Sequence, residues 1–308
     1  MIKGSYSLGS SKINLESEIN LYTDLNFQDL FKKTGIRHVY RTKENETSLT
    51  LAIDASKKLL KNIDEKIESL IFVTQSPVST IPASGCLLHK EINLKNECFV
   101  LDIVQGCSGF PYALTVAINL INNKQFKNCL IVSSETYTKY INKNDRACMP
   151  IFSDAASAIF INKHTIPKML SSFFLTDGEG AKNLCLKTEK NKQKLIMHGA
   201  NVFTFTAEKV PYATNLLLKK ANLKISDIGL FVFHQASAIV LQTIKKKLKI
   251  PKEKFYNNIE FFGNTVSSTI PISLITANKE KKIPKKKPIL IMGFGVGYSL
   301  CGGIFKFD

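Results

Sequence analysis

The chain has 308 residues, 44% of them hydrophobic, and a formal charge of +17. It is long enough to bury one large core or two fused halves, and too balanced in composition for disorder to dominate. Only Arg37, Arg41 and Arg146 are arginines and every other basic residue is a lysine, which speaks against a nucleic-acid reader built on arginine forks and for a solvated surface or a basic face that receives an acidic carrier protein or a phosphorylated ligand.

Seven cysteines occur with no C-x-x-C pair. They suggest neither a disulfide framework nor a zinc site, and a reducing cytoplasm is the simplest reading. The first residues, Met-Ile-Lys-Gly-Ser-Tyr-Ser, contain no apolar signal core. Ile289 to Phe305 is apolar, but it is short for a membrane span and carries five glycines. Buried strands around a glycine turn explain it better.

In chain order, residues 48–62 have the spacing of an amphipathic helix. Ile67 to Thr74 and Glu97 to Ile103 read as buried strands, Phe110 to Asn122 as an apolar helix, Asn128 to Ser134 as a third strand and Ala155 to Asn162 as a fourth. A similar order returns: a helix over Thr206 to Ala221, a strand over Ile228 to Phe233, helices over Ala238 to Leu248 and Pro271 to Lys279, and strands over Pro288 to Gly293 and Cys301 to Phe307. Such alternation predicts α/β layers around mostly buried sheets, in halves 1–165 and 166–308. The charged stretch Lys279 to Lys287 reads as a solvated loop.

Cys107 stands between a strand and a helix, bracketed by Gly106 and Gly109. Pro111 would clash with the carbonyl of Cys107, so regular helix cannot run upstream through it. The sulfur is therefore expected at a helix start, where the backbone dipole favours a thiolate nucleophile. A small buried core cysteine is the competing reading. His234 ends the apolar strand Ile228-Gly-Leu-Phe-Val-Phe, at the kind of strand end where α/β sheets keep their sites. Its neutral imidazole could donate a hydrogen bond to a thioester carbonyl, or it could be a satisfied buried histidine. Asn264 follows a glycine turn and precedes a small-residue helix start, as a second donor or as a turn or cap residue. The turn Met292-Gly-Phe-Gly295-Val-Gly297 is not a nucleotide fingerprint, because its third glycine is misplaced and no helix follows.

Taken together, Lys33-Thr-Gly-Ile-Arg37, Gly106-Cys107-Ser-Gly-Phe110, Phe152-Ser-Asp-Ala-Ala-Ser-Ala, His234-Gln-Ala-Ser237, Gly263-Asn264-Thr265 and Gly293-Phe-Gly-Val-Gly297 resemble the ketoacyl-acyl-carrier-protein synthase III family over most of the chain. The resemblance implies a five-layer αβαβα thiolase-like sandwich, a homodimer, and acyl-carrier-protein or coenzyme A thioesters as substrates, with no metal and no resident cofactor. It implies Cys107 as acyl carrier, His234 and Asn264 as donors to the second thioester, and the backbone N–H groups of Cys107 and Val296 as an oxyanion hole. It further implies Arg146, Lys33 and Arg37 as substrate-binding residues and Ile81 as the pocket gate, contributed across the dimer. Departures from the family accompany these matches: there is no tryptophan to stack on adenine, Asp29 standing near that place, and Ile239 takes the position of a second arginine. Gly293 occupies the place of the second thiolase cysteine, and Cys301 lies beyond the turn.

The implied activity is acyl transfer to Cys107 followed by decarboxylative Claisen condensation with a malonyl thioester. A non-decarboxylating acyltransferase using the same acyl-cysteine, a basic nucleic-acid-binding protein and a catalytically dead scaffold are the other readings.

Overall fold

The computed structural model describes residues 2–19, 26–142, 144–189 and 192–307. The first part of the chain runs β1 (Lys3–Leu8), β2 (Ser11–Asn14), α1 (Leu15–Glu18), α2 (Phe27–Thr34), β3 (His38–Arg41), α3 (Ser48–Leu60), β4 (Ser69–Val73), α4 (Ser84–Glu91), β5 (Phe99–Ile103), α5 (Gly109–Asn122), β6 (Asn128–Glu135) and β7 (Ala155–Asn162). The second part runs β8 (Lys168–Thr176), β9 (Leu184–Glu189), β10 (Lys192–Met197), α6 (Gly199–Lys220), β11 (Leu230–Phe233), α7 (Ala238–Lys247), α8 (Ile259–Phe262), α9 (Thr269–Lys279), β12 (Ile289–Gly295) and β13 (Ser299–Lys306).

Two mixed sheets form the frame. The first has the order β1-β7-β6-β4-β5 and the second β11-β12-β13-β8. Within the first, β6, β4 and β5 are parallel while β7 and β1 run antiparallel. Within the second, β11 and β12 are parallel and β13 and β8 return antiparallel.

The period-2 alternation of strand side chains decides the layering. On β4, Leu70 and Phe72 pack outward with Leu51, Ala55 and Leu59 of α3 and Leu88 of α4. Ile71 and Val73 point the other way, into a core shared with Phe110, Leu114 and Ile118 of α5 and Ile270 and Leu274 of α9. The same core receives Val232 of β11 and Ile289 and Ile291 of β12, so α5 and α9 lie between the sheets. The far face of the second sheet, with Phe231, Phe233, Leu290 and Met292, packs on Val210 and Leu217 of α6 and Leu241 and Ile244 of α7. Helix, sheet, helix, sheet and helix thus stack as five layers. Sheets covered on both faces require unbroken apolar strands, and β4, β6, β7, β11 and β12 are buried at every position.

The observed α6 begins at Gly199, earlier than the pattern from Thr206 predicts. Its first turns are held by tertiary contacts: Phe205 stacks on Tyr298 at 4.4 Å, and Val202 and Phe203 pack against the outer core of the second sheet. Pro211 lies inside this helix and leaves the carbonyl four residues back without its usual donor. That carbonyl, of Ala207, accepts from Lys247 Nζ of α7 at 3.0 Å. The apolar 289–305 segment is the β12–β13 pair with its glycine turn. Among the described residues no helix is long and apolar enough to cross a membrane.

Candidate active site

The ends of β5, β11 and β12 open on one cavity of about 150 Å³, lined mainly by apolar side chains. Cys107, His234 and Asn264 all lie on its wall, together with Phe152, Phe294, Gly295, and Leu184 and Met197 of the paired β9 and β10.

Cys107 leaves the loop after β5, two residues before α5 begins at Gly109. The turn after β12 closes on it from the second sheet. A side chain at Gly293 would collide with the Cys107 carbonyl and lie 2.7 Å from Ser108 Cα, and one at Gly295, whose φ is +153°, would press on the sulfur at 3.1 Å. Only glycine permits this approach. A buried pair fixes the register of loop and turn: Ser108 Oγ meets Ser299 Oγ at 2.6 Å, and Ser299 Oγ meets the Val296 carbonyl at 2.7 Å.

The electrostatics differ from the helix-start expectation. Burial, and then the nearby Glu135 carboxyl, push the Cys107 thiol up to about 12, while the N–H groups of Val296 and of Cys107 itself donate toward the sulfur and oppose the rise. The resting form is therefore the thiol, because the desolvation of a fully buried sulfur outweighs the favourable dipole of the helix start.

His234 follows β11, its own N–H bonded to the Met292 carbonyl at 2.9 Å. Burial lowers its pKa to about 3, against a contribution from the Val266 carbonyl, so the ring is neutral. Phe294 meets it edge-on at 5.5 Å. Its Nδ1 lies 2.7 Å from Thr269 Oγ1, which also lies 3.0 Å from the Val266 carbonyl. The hydroxyl has one proton for two neighbours. When it points at Nδ1, the imidazole carries its proton on Nε2 and can donate into the cavity. When it points at Val266, Nδ1 is protonated and Nε2 presents a lone pair.

Asn264 sits on a short backbone bridge to Phe152, its N–H bonded to the Ile151 carbonyl and its own carbonyl accepting from Ser153, both at 2.9 Å. Val266 N–H donates to Asn264 Oδ1 at 3.0 Å. That bond takes the carboxamide oxygen and leaves the NH₂ group for other acceptors. Val266 adopts φ +53°, an outlier for a β-branched residue. This one strained residue thus serves Asn264 with its N–H and the His234–Thr269 pair with its carbonyl.

Residues 101–178 match the family described as 3-Oxoacyl-[acyl-carrier-protein (ACP)] synthase III, and residues 218–307 match that family's C-terminal region. A beta-ketoacyl-[acyl-carrier-protein] synthase III of Clostridium novyi is 32% identical over 306 residues, covering 94% of each chain. The chain belongs to the ketoacyl synthase III family. A crystal structure of a 3-oxoacyl-(acyl-carrier-protein) synthase III superimposes with a TM-score of 0.92 at 31% identity over 99% of both chains. The Aquifex aeolicus synthase III gives 0.91 at 26% identity, again over 99% of both. The fold is thiolase-like, and the enzyme is a condensing acyltransferase of the synthase III type.

The remaining sequence candidates lie away from the cavity wall. Arg37 is held by Glu16 and by Glu260 at 3.0 Å, and lies over the rings of Phe27 and Phe31. Lys33 and Arg146 are exposed. Ile81 is 92% exposed, in the loop before α4. Cys301 is buried in β13 and does not line the cavity. Sequence reasoning missed Thr269, Val266, Ser299, Tyr137 and Glu135. Glu135 is the best marked of these, as the one acidic residue at the end of the apolar run Asn128–Glu135.

Proposed function

We propose that the enzyme carries out decarboxylative Claisen condensation with Cys107, His234 and Asn264 as its working side chains. Cys107 Sγ attacks the carbonyl of an acyl thioester, the donor's C–S bond breaks, and the departing thiol takes the cysteine proton. A malonyl thioester then enters the same cavity. Its carboxylate leaves as CO₂, and the electron pair moves onto the thioester oxygen, which accepts from the Asn264 carboxamide and His234 Nε2–H. The enolate carbon attacks the acyl-cysteine, whose oxygen accepts from the N–H groups of Cys107 and Val296, and Cys107 departs and regains a proton.

The observation that carries this reading is the single apolar cavity whose wall holds all three side chains. The neutral state of His234 supports it, because a neutral imidazole can donate without drawing the malonyl carboxylate into an ion pair that would resist CO₂ loss. In this reading the two halves divide the labour, residues 1–165 supplying the nucleophile and 166–308 the histidine and asparagine. The test pairs intact-protein mass measurement after incubation with acyl donors and release of labelled CO₂ from a malonyl carrier. An acyl adduct lost in Cys107→Ala and CO₂ release coupled to acyl transfer are expected. Acyl transfer to another acceptor without CO₂ release would overturn it.

A carrier protein is the favoured source of the thioesters, because carrier acidity complements the net charge of +17. We also propose a homodimer through the edge of the first sheet. There β5 is half-buried at all five positions and, among the described residues, has no partner strand on its outer side. It is followed by Val104, 67% exposed, and its Asp102 accepts from Gly85 N–H of α4, the helix that follows the loop carrying Ile81. An apolar unpaired edge is a surface that proteins cover. Light scattering of Val104→Lys against the native chain tests this, a monomer being expected only for the variant.

A further inference from the structure

We infer that the end of the second sheet away from the catalytic cavity, where β11 and β12 begin, is a lysine surface that docks the enzyme on a bilayer of acidic phospholipids. No residue of the cavity wall takes part, so docking stands or falls separately from the condensation chemistry.

Several distant segments assemble this surface. Residues 279–287, between α9 and β12, hold six lysines and one glutamate. They lie against the start of β11: Gly229 N–H donates to the Pro288 carbonyl at 2.8 Å, and a Cβ at Gly229 would stand 2.8 Å from Lys287 Cβ. The turn at residues 252–254 comes up along the other edge of β11, where Tyr256 N–H donates to the Phe231 carbonyl at 3.0 Å and Lys254 Nζ donates to the Ser226 carbonyl at 2.7 Å. Lys282 Nζ joins loop and turn by sitting 5.5 Å from the centre of the Tyr256 ring. A cleft of about 660 Å³ opens between them, its wall including Lys252, Lys282 and Lys245 from the last turn of α7. The C-terminal dipoles of α7 and α9 lower the cost of gathering so many like charges. Three carboxylates share the face. Asp227 accepts from Lys224 N–H, Glu280 pairs with Lys282 at 2.7 Å, and Glu253 lines the cleft. Lys252, Lys281 and the run 285–287 are exposed beyond them.

The make-up of the surface separates its conceivable acidic partners. Nucleic-acid sites use arginine forks and exposed rings. All three arginines of the chain fall before residue 150, and the rings here, Phe255 and Tyr256, are half-buried and buried. Protein interfaces are likewise depleted in lysine and rich in arginine and aromatic residues. A bilayer of acidic lipids requires only a density of cations within a Debye length of its surface, which flexible lysines supply. Position agrees with this. Helix α7 runs from Ile239 and Val240 at the cavity to Lys245 at the cleft. A chain docked by the lysine face therefore keeps Ile239, 49% exposed at the cavity mouth, turned toward water and open to thioester donors.

The test sediments the full chain with vesicles of phosphatidylcholine alone or mixed with phosphatidylglycerol, at about 50 and about 300 mM salt. Binding is expected only with phosphatidylglycerol, and at least about tenfold weaker at the higher salt. A quadruple variant, Lys252→Gln, Lys285→Gln, Lys286→Gln and Lys287→Gln, is expected to bind about thirtyfold more weakly or worse. A second variant loses the same charge in β2 and around the β9–β10 pair, through Lys12→Gln, Lys182→Gln, Lys187→Gln and Lys192→Gln, and is expected to stay within about threefold of the native chain. The replaced side chains are all exposed, so both variants keep the fold. Failure to bind phosphatidylglycerol vesicles would overturn the inference, and so would an equal loss in the two variants, which would trace binding to net charge alone. Release of the bound chain by millimolar inorganic phosphate at constant ionic strength would also overturn it, marking the cleft as a site for one free phosphate. Tighter binding to duplex DNA or to an acyl carrier protein at matched charge would do the same.

Discussion

The most informative perturbation of the site is Glu135→Gln. Glu135 is fully buried, accepts from Gln75 N–H, Ser76 Oγ and Ser267 Oγ, and is pushed up to about 8 by desolvation. It acts on the sulfur only when ionised. Below about pH 8 it is neutral and the substitution changes little at Cys107. Above that pH its charge adds to the burial that raises the Cys107 thiol to about 12. A like charge at an effective dielectric of about 20 costs about 4 kcal/mol at 4 Å and half that at twice the distance. Even about 2 kcal/mol is roughly a thirtyfold change in thiolate population. The assay is the rate of iodoacetamide alkylation of Cys107 from pH 6 to 10, read by intact mass, since only the thiolate reacts. The native rate is expected to rise about tenfold per pH unit up to pH 8 and more shallowly beyond. In Glu135→Gln the steep rise should continue, so the two curves coincide below pH 8 and separate above it. The Ser267 hydroxyl can turn to accept from the new amide, which keeps the variant folded. Coincident curves to pH 10 would refute the coupling, and a plateau near pH 8.5 in Glu135→Gln would refute the raised thiol.

Asn264→Asp should slow CO₂ release by about 100-fold or more while leaving acyl loading nearly intact, because a carboxylate repels the developing enolate; equal loss in both half-reactions would count against that role. Thr269→Val removes the hydroxyl that selects the His234 tautomer. It should slow condensation by about 5- to 150-fold, the range for a buried group left unpaired, while Thr269→Ser restores it; a Ser variant as slow as the Val variant would refute tautomer control. His234 has a folded pKa depressed to about 3 against 6.5 unfolded. The unfolded chain therefore binds the extra proton first, and the stability present above pH 6.5 is lost as the pH falls toward 3. Thermal unfolding of His234→Gln against the native chain should show a shallower loss over that window; parallel curves would contradict the buried neutral ring.

The fold was legible in the sequence where burial is two-sided. The runs in β4, β6, β7 and β12 are apolar because helices cover both faces, and no solvent face interrupts them. The strands β8, β9 and β10 escaped notice because exposed lysines such as Lys168, Lys187 and Lys192 break their pattern. Cys107, His234 and Asn264 stood out by their punctuation of strand ends and glycine turns. Thr269 and Val266 did not, since a threonine at a helix start and a valine in a small-residue stretch carry no local mark of a distant partner. Their significance comes from a hydroxyl meeting a ring 35 positions away in sequence and from a positive φ. The helix-start argument for Cys107 was right about position and wrong about charge, because a sequence shows the dipole but not the depth of burial.

The strained residue Val266 ties two side chains of the cavity wall, Asn264 and His234, to one fulcrum. Its N–H orients Asn264 and its carbonyl steers the proton of the His234–Thr269 pair. A shift that retunes one donor necessarily drags the other, so a double-mutant cycle across them would be strongly non-additive. Evolution of this pocket toward a different acceptor is thereby steered away from the two donors and onto the surrounding walls.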